Sequence, residues 1–445
     1  MGSLPFLNVL VINGEPFNDI TATGITMSNL FKGWPRDRIF QIYTANVVPN
    51  SNICANNLRL SSRDLKPFCY FANRAESNGG LGDSAGGGAR NGSGLSSSKG
   101  RSGFRDIVRK GAVPFLDFLP YQIRRENLAV VREFKPDVIY SMLGSIRMVR
   151  LVSRLAKELG IPVVPHFMDD WISTYSVPGR SVGSPFHVRY LQSAVKQLFN
   201  SVPLAMSIGE LMSREYSNRY SRSFYDFMNP VEVPEFFLHP EGRGPGRVVR
   251  FVYVGGLHLG RAECLMQIAT QMQNLKNQGL PLALDIFAPL HDADAATRLE
   301  SIGDVVTYKG SVRPEGVGSV LSESDVAIHV ESFSDECAEY TRLSVSTKIP
   351  QYFAAGIPVL AYGPSSLASC QYVGSSKAGV LVDRTEGSAL GDVIRMLVLD
   401  SDVRTEMGKN GWAHARKSHE VAAVRDRFRE VLLAASKASA MGAVV

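Results

Sequence analysis

Ser346-Thr347-Lys348 places two hydroxyls and an amine where the chain passes from a loop into a helical pattern. The pattern predicts a helix running to Ala355, stopped by Gly356 and followed by a strand that opens at Pro358. A helix N-terminus carries free N–H groups and partial positive charge, so hydroxyls and an ammonium there make a ready anion site. Diphosphate is the obvious anion. The same residues also fit a plain N-cap beside a solvated lysine. His166-Phe-Met-Asp169-Asp170-Trp171 is a second constellation: an imidazole, paired carboxylates and an aromatic ring at the end of a predicted strand. That is where α/β proteins bind ligands, although Asp170 also suits an ordinary helix cap. Thr21-Ala-Thr-Gly24 follows the first predicted strand, and Gly24 permits close approach to the backbone. Glu331 follows the predicted strand Val326–Val330 and is expected to face a cleft, with Asp335 and Glu339 further along the same loop. Each of these acids also fits a solvated loop position.

The elements that must hold these residues alternate. Strands are predicted at Leu7–Ile12, Ile39–Tyr43, Asp137–Met142, Pro162–His166 and Leu204–Ile208 in the first half. The second half offers Val248–Val254, Leu282–Phe287, Val326–Val330, Pro358–Ala361 and Gly379–Val382. Helical patterns lie between them, at Gly24–Phe31, Ser145–Leu159, Glu263–Asn277, Lys348–Ala355 and Ser388–Leu399. Near-continuous apolar strands separated by helices imply parallel sheets covered on both faces. Two such series meet at a Pro/Gly-dense stretch near 230–246, which predicts a linker. The expected organisation is a first domain over 1–230, a linker over 231–246, a second domain over 247–420, and a final segment over 421–445. The Gly/Ser-rich stretch at about 75–103 is expected to be a flexible insertion. Its Gly80-Leu-Gly82-Asp-Ser-Ala85 matches a dinucleotide fingerprint in letters, but lacks the flanking strand and helix that the fingerprint requires.

Composition narrows the class. With 445 residues, 44% hydrophobic and 20% charged, the chain is an ordinary globular protein and not a disordered, collagenous or coiled-coil one. The net charge of +6 suits anionic partners without choosing among them. Five scattered cysteines with no CxxC pair give neither a zinc site nor a redox motif, and point to a reducing compartment. The first residues lack the basic and apolar regions of a secretory signal, and no apolar run approaches the ~20 residues that span a bilayer. A cytoplasmic protein is expected, with room for contact at the inner face of the membrane. Six basic residues interleave with aromatic and aliphatic ones over 101–125, which fits a membrane surface or a lipid-linked acceptor, or equally a surface helix packed by its apolar face. No recognisable module points to nucleic acid.

The run Thr347-Lys-Ile-Pro-Gln-Tyr-Phe-Ala-Ala-Gly-Ile-Pro-Val359 resembles the nucleotide-sugar stretch of retaining GT-B glycosyltransferases of family 4. Phe251-Val-Tyr-Val-Gly-Gly-Leu-His-Leu-Gly-Arg261 is a second match, with Gly255 and Arg261 at the family's glycine-to-cation spacing. Gly379-Val-Leu-Val, followed by the helical pattern from Leu390 to His419, is a third. Two carboxylates that the family usually carries are replaced, by Leu343 and by Gln351. The amide of Gln351 can still bond ribose hydroxyls.

The resemblance implies two facing Rossmann-like domains with a cleft between them, and a last helix that returns to the first domain. It implies transfer of a sugar from a nucleotide-diphosphate donor to an acceptor hydroxyl, with retention, in polysaccharide or glycolipid assembly. The nucleotide sugar would be a co-substrate, with no bound cofactor and no metal. Gly24, Gly255, Arg261, Ser346, Thr347, Lys348 and Gln351 would bind the donor. His166, Asp169, Asp170 and Glu331 would face the reacting sugar and a glycan or lipid-linked acceptor. The replaced carboxylates leave two further readings: a sugar-nucleotide epimerase of the same fold, and a scaffold that binds a sugar nucleotide without turning it over.

Overall fold

The computed structural model describes residues 4–66, 119–174, 185–237, 247–385 and 388–442. The insertion expected at 75–103, residues 101–118 of the basic stretch and residues 238–246 of the linker lie outside the described residues.

The first sheet is built from β1 (Val9–Ile12), β2 (Ile39–Tyr43), β3 (Asn56–Arg59), β4 (Val138–Ser141), β5 (Val163–Phe167), β6 (Leu204–Ser207) and β7 (Ser223–Asp226). Its order is β3-β2-β1-β4-β5-β6-β7, with parallel pairing throughout. The second sheet contains β8 (Val249–Val254), β9 (Leu282–Phe287), β10 (Val306–Gly310), β11 (Val326–Val330), β12 (Val359–Tyr362) and β13 (Gly379–Val382), in the order β10-β9-β8-β11-β12-β13 and again parallel. Both orders reverse direction beside their first strand. Such a switch point opens a crevice at the carboxyl ends of the strands.

Central strands are fully buried, as β1, β4 and β11 show, because helices cover both sheet faces. The helix Ile146–Leu159 illustrates the cause. Ser145 caps it by accepting from the Met148 N–H, Gly160 ends it at φ 67°, and its apolar side buries Val149, Val152 and Leu155. The last helix, Val421–Gly442, crosses back to the first sheet. Its Phe428 is fully buried in edge-to-face contact with Phe31, Tyr140 and Phe227 at 5.1, 5.4 and 5.6 Å. The two crossings between the halves run side by side, joined by a bond from the Val231 N–H to the His419 carbonyl. Among the described residues no helix is long and apolar enough to cross a membrane.

Candidate functional site

In the second half, β8 ends at Gly255-Gly256. The Gly255 N–H donates to the Phe287 carbonyl, and the Tyr253 hydroxyl donates to the Gly256 carbonyl at 2.6 Å. A Cβ at Gly255 would lie 3.4 Å from the Lys348 ammonium, so the bare backbone lets that charge come close. The chain then turns through Gly260 at φ 70°, where a Cβ would overlap the Ser332 hydroxyl, and enters the helix Arg261–Asn277. Arg261 therefore stands at the start of a long helix, pointing at the end of β11.

Glu331 directly follows β11. Its Oε1 lies 3.6 Å from Arg261 Nη2 and 3.3 Å from His329 Nε2, and its side chain is 4% exposed. Burial pushes this carboxyl up, yet the His329 contact, the Arg261 charge and the Thr341 hydroxyl together hold it below the ordinary range. Lys348 is lowered by burial and by Arg261, and Glu331 opposes that shift. Arg261, Lys348 and Glu331 thus form one coupled group with a single net positive charge. A net positive charge on groups this buried attracts an anion more strongly than the same charge in water.

Its neighbours depart from expectation. The helix begins at Ile349 rather than at the hydroxyl pair, with Lys348 as its cap and Pro350 in its first turn. Ser346 instead donates its N–H to the Ser369 hydroxyl. An anion here would therefore meet side-chain cations and not a Ser-Thr cap. Gln351 lines a separate cavity of about 780 Å3, shared with Asn29 and Lys32 of the first half and Phe237 and Trp412 near the crossings. That cavity does not include Arg261, Lys348 or Glu331. Leu343 is fully buried in the core.

In the first half, Gly24 sits in the first turn of the helix Ala22–Phe31 and donates its N–H to the Thr21 hydroxyl. A Cβ there would overlap the Asn18 amide, whose carbonyl oxygen accepts from the Ile20 and Thr21 N–H groups. The close approach that Gly24 permits is to Asn18 of the same loop. His166 is taken out of the cleft altogether. It is fully buried, with Nδ1 2.7 Å from the Tyr140 hydroxyl and Nε2 3.2 Å from the Phe227 carbonyl. The carbonyl can only accept, so Nε2 carries the proton and Nδ1 accepts from tyrosine. Burial lowers this imidazole to about 4.

Asp170 is buried as well. It accepts from the Tyr216 hydroxyl at 2.6 Å and from Arg219 at 3.3 Å. Asp169 is half-buried and reaches the second half, accepting from the Ser344 hydroxyl at 2.8 Å. His166, Asp169 and Asp170 therefore do not converge on one point. A contact that sequence reasoning missed lies beside them: Arg342 donates to both carboxylate oxygens of Glu215, at 2.7 and 2.8 Å. These two residues stand 127 positions apart, and nothing local to either announces the pairing.

No protein-family model and no curated protein sequence matches the chain. Solved structures do. Anabaena HepE in complex with UDP and glucose aligns with a TM-score of 0.59 at 12% identity, over 96% of this chain and 99% of that one. Sucrose-phosphate synthase from Thermosynechococcus elongatus gives 0.60 at 13%, over 95% and 98%. The chain has the GT-B fold. A trehalose-phosphate synthase (UDP-forming) from Burkholderia vietnamiensis shares it, with a TM-score of 0.56 at 12% identity over 98% and 99%. Since both chains are matched nearly end to end, the likeness covers both halves of the GT-B architecture.

Proposed function

We propose that this GT-B protein is a glycosyltransferase that moves a sugar from a nucleotide-diphosphate donor to an acceptor hydroxyl with retention, in assembly of a polysaccharide or glycolipid. The observation that carries the reading is the gathering of two cations around Glu331, with Arg261 3.6 Å from it and Lys348 close over Gly255. Two cations on a fixed frame stabilise the charge that develops on a departing diphosphate. The GT-B neighbours crystallised with UDP and with UDP-glucose support a uridine donor. The donor is the co-substrate, and no bound cofactor or metal enters the proposal. The carboxylates of Asp169 and Asp170 are engaged by Ser344, Tyr216 and Arg219. Neither stands free as a nucleophile, which supports front-face attack guided by the leaving phosphate. The acceptor would be a glycan or lipid-linked molecule reaching the cleft at the cytoplasmic face, with residues 101–125 as the membrane contact. Leu343, buried where the resemblance expects a carboxylate, favours a second reading in which the donor binds without turnover.

The test is the pair of substitutions Arg261→Ala and Lys348→Ala together. Each removes a charge-assisted hydrogen bond of about 1.5–3 kcal/mol, so UDP affinity should fall at least about a hundredfold, read below the variant's own melting temperature because the loss of cations beside the buried Glu331 also lowers stability. UDP binding within threefold of the parent overturns the diphosphate assignment. Donor turnover by the parent protein separates the enzyme from the silent binder.

A further inference from the structure

The loop ahead of the diphosphate cradle grips the other half of the molecule. Its backbone is pinned to its own half. The Ala368 N–H donates to the Arg342 carbonyl, the Ser369 hydroxyl donates to the Ser344 carbonyl, and the Ser346 N–H donates back to the Ser369 hydroxyl. Its side chains point the other way. Arg342 forks onto Glu215 of the helix Glu210–Tyr220, and Glu215 also accepts from Arg219 at 2.6 Å. Arg219 reaches on to Asp170, and the Ser344 hydroxyl donates to Asp169. Next to Ser344, Val345 packs on Gly209, where a Cβ would lie 2.9 Å from Val345 Cγ2. The chain enters Lys348 only three residues later.

We propose that Arg342 and Glu215 are positioning residues that clasp the two halves and so set the cradle of Arg261 and Lys348 against the first domain. The inference rests on the donor-binding reading for its kinetic arm alone. Three features favour a clasp over an incidental surface pair. The contact is bidentate, which fixes an angle as well as a distance. Glu215 is lowered chiefly by its bond from Arg342, so the carboxylate is ionised and engaged. The pair also belongs to a connected set, Arg342–Glu215–Arg219–Asp170, whose inner end is buried.

The clasp acts through the population of the closed arrangement. A donor that needs both halves binds with an apparent affinity reduced by the fraction closed. Arg342→Ala should raise the donor KM about tenfold, the scale of one bidentate charge-assisted contact, with kcat at saturating donor within about twofold. Arg342→Lys keeps the charge and loses the fork, so it should recover only part of the affinity. The reversed pair, Arg342→Glu with Glu215→Arg, should restore most of it. Small-angle scattering of the donor-free protein reads the clasp without any activity: Arg342→Ala should enlarge the radius of gyration, and the reversed pair should return it to the parent value. An unchanged radius for Arg342→Ala, with its melting temperature intact, overturns the clasp whatever the enzyme does. A fall in kcat with KM unchanged overturns it also, because Arg342 would then act on the chemistry. Absence of transfer by the parent protein would remove the function proposed above and leave the scattering arm standing.

Discussion

Replacing Glu331 by glutamine separates what this residue does for stability from what it does for binding. Its carboxylate is almost completely buried, 3.6 Å from Arg261 and 3.3 Å from His329. Removing one member of a fully buried ion pair costs ~3–5 kcal/mol. Arg261 is 21% exposed and can turn to water, so the loss should be smaller, about 1–3 kcal/mol at pH 7. The sign with pH follows from the depressed carboxyl: its contribution is complete above the unfolded-state value and fades as pH falls through the folded one. Parent and variant should therefore stay apart down to about pH 4.5 and converge only in more acid solution, below the ordinary carboxyl value. Binding should move the opposite way. Glu331 repels an incoming diphosphate, and at roughly 7 Å with an effective dielectric between ~20 and ~80 that repulsion is on the order of 1 kcal/mol. UDP should thus bind the variant about fivefold more tightly, with a steeper dependence on salt. Urea unfolding from about pH 2.5 to pH 8 and calorimetric titration with UDP at two ionic strengths measure both effects. Equal stability and equal UDP affinity across those conditions would refute the coupling of Glu331 to the cationic pair.

Two further outcomes follow from buried groups outside the cradle. Phe428→Ala empties a fully buried site among three aromatic rings and should cost about 3–5 kcal/mol in urea unfolding, loosening the return of the last helix. His166 and His419 are lowered by burial to about 4 and about 3. The unfolded chain protonates both first, so stability should fall with acid between pH 6 and pH 5 by about 1.4 kcal/mol per group; a flat profile there would show that these imidazoles are solvated.

The alternation of strand and helix could be read from the chain because buried central strands need continuous apolar residues. Ile39–Tyr43, Leu282–Phe287, Val326–Val330 and Gly379–Val382 stand where the pattern placed them. Three strands escaped notice: Asn56–Arg59, Ser223–Asp226 and Val306–Gly310. All three are sheet edges, covered on fewer sides, and their residues alternate or are polar. The candidate site divides in the same way. Arg261, Lys348 and Gly255 are brought together by spacing against strand ends, which sequence carries. The fate of His166 and Asp170 depends on Tyr140, Phe227, Tyr216 and Arg219, each 26 or more positions away. Residue type alone cannot tell an imidazole in the core from one in a cleft.

Leu343 and Gln351 gain a common explanation from this geometry. A carboxylate at 343 would be desolvated in a core that includes Ile208, Met212 and Val345, where an unpaired charge costs several kcal/mol. Leucine there lets the segment from Arg342 to Val345 lie against the first domain, with polar bonds at Arg342 and Ser344 and apolar contact at Val345. Gln351, eight residues on, faces the cavity beside Asn29 and Lys32 of the first half, where a neutral amide can both donate and accept. Leu343 and Gln351 thus fall near where the halves meet, while the carboxylate beside the cations, Glu331, directly follows β11. In this chain the segment from 342 to 351 touches both halves and carries Lys348 within it, so under the proposed clasp the position of one domain would set the geometry of the cationic pair in the other.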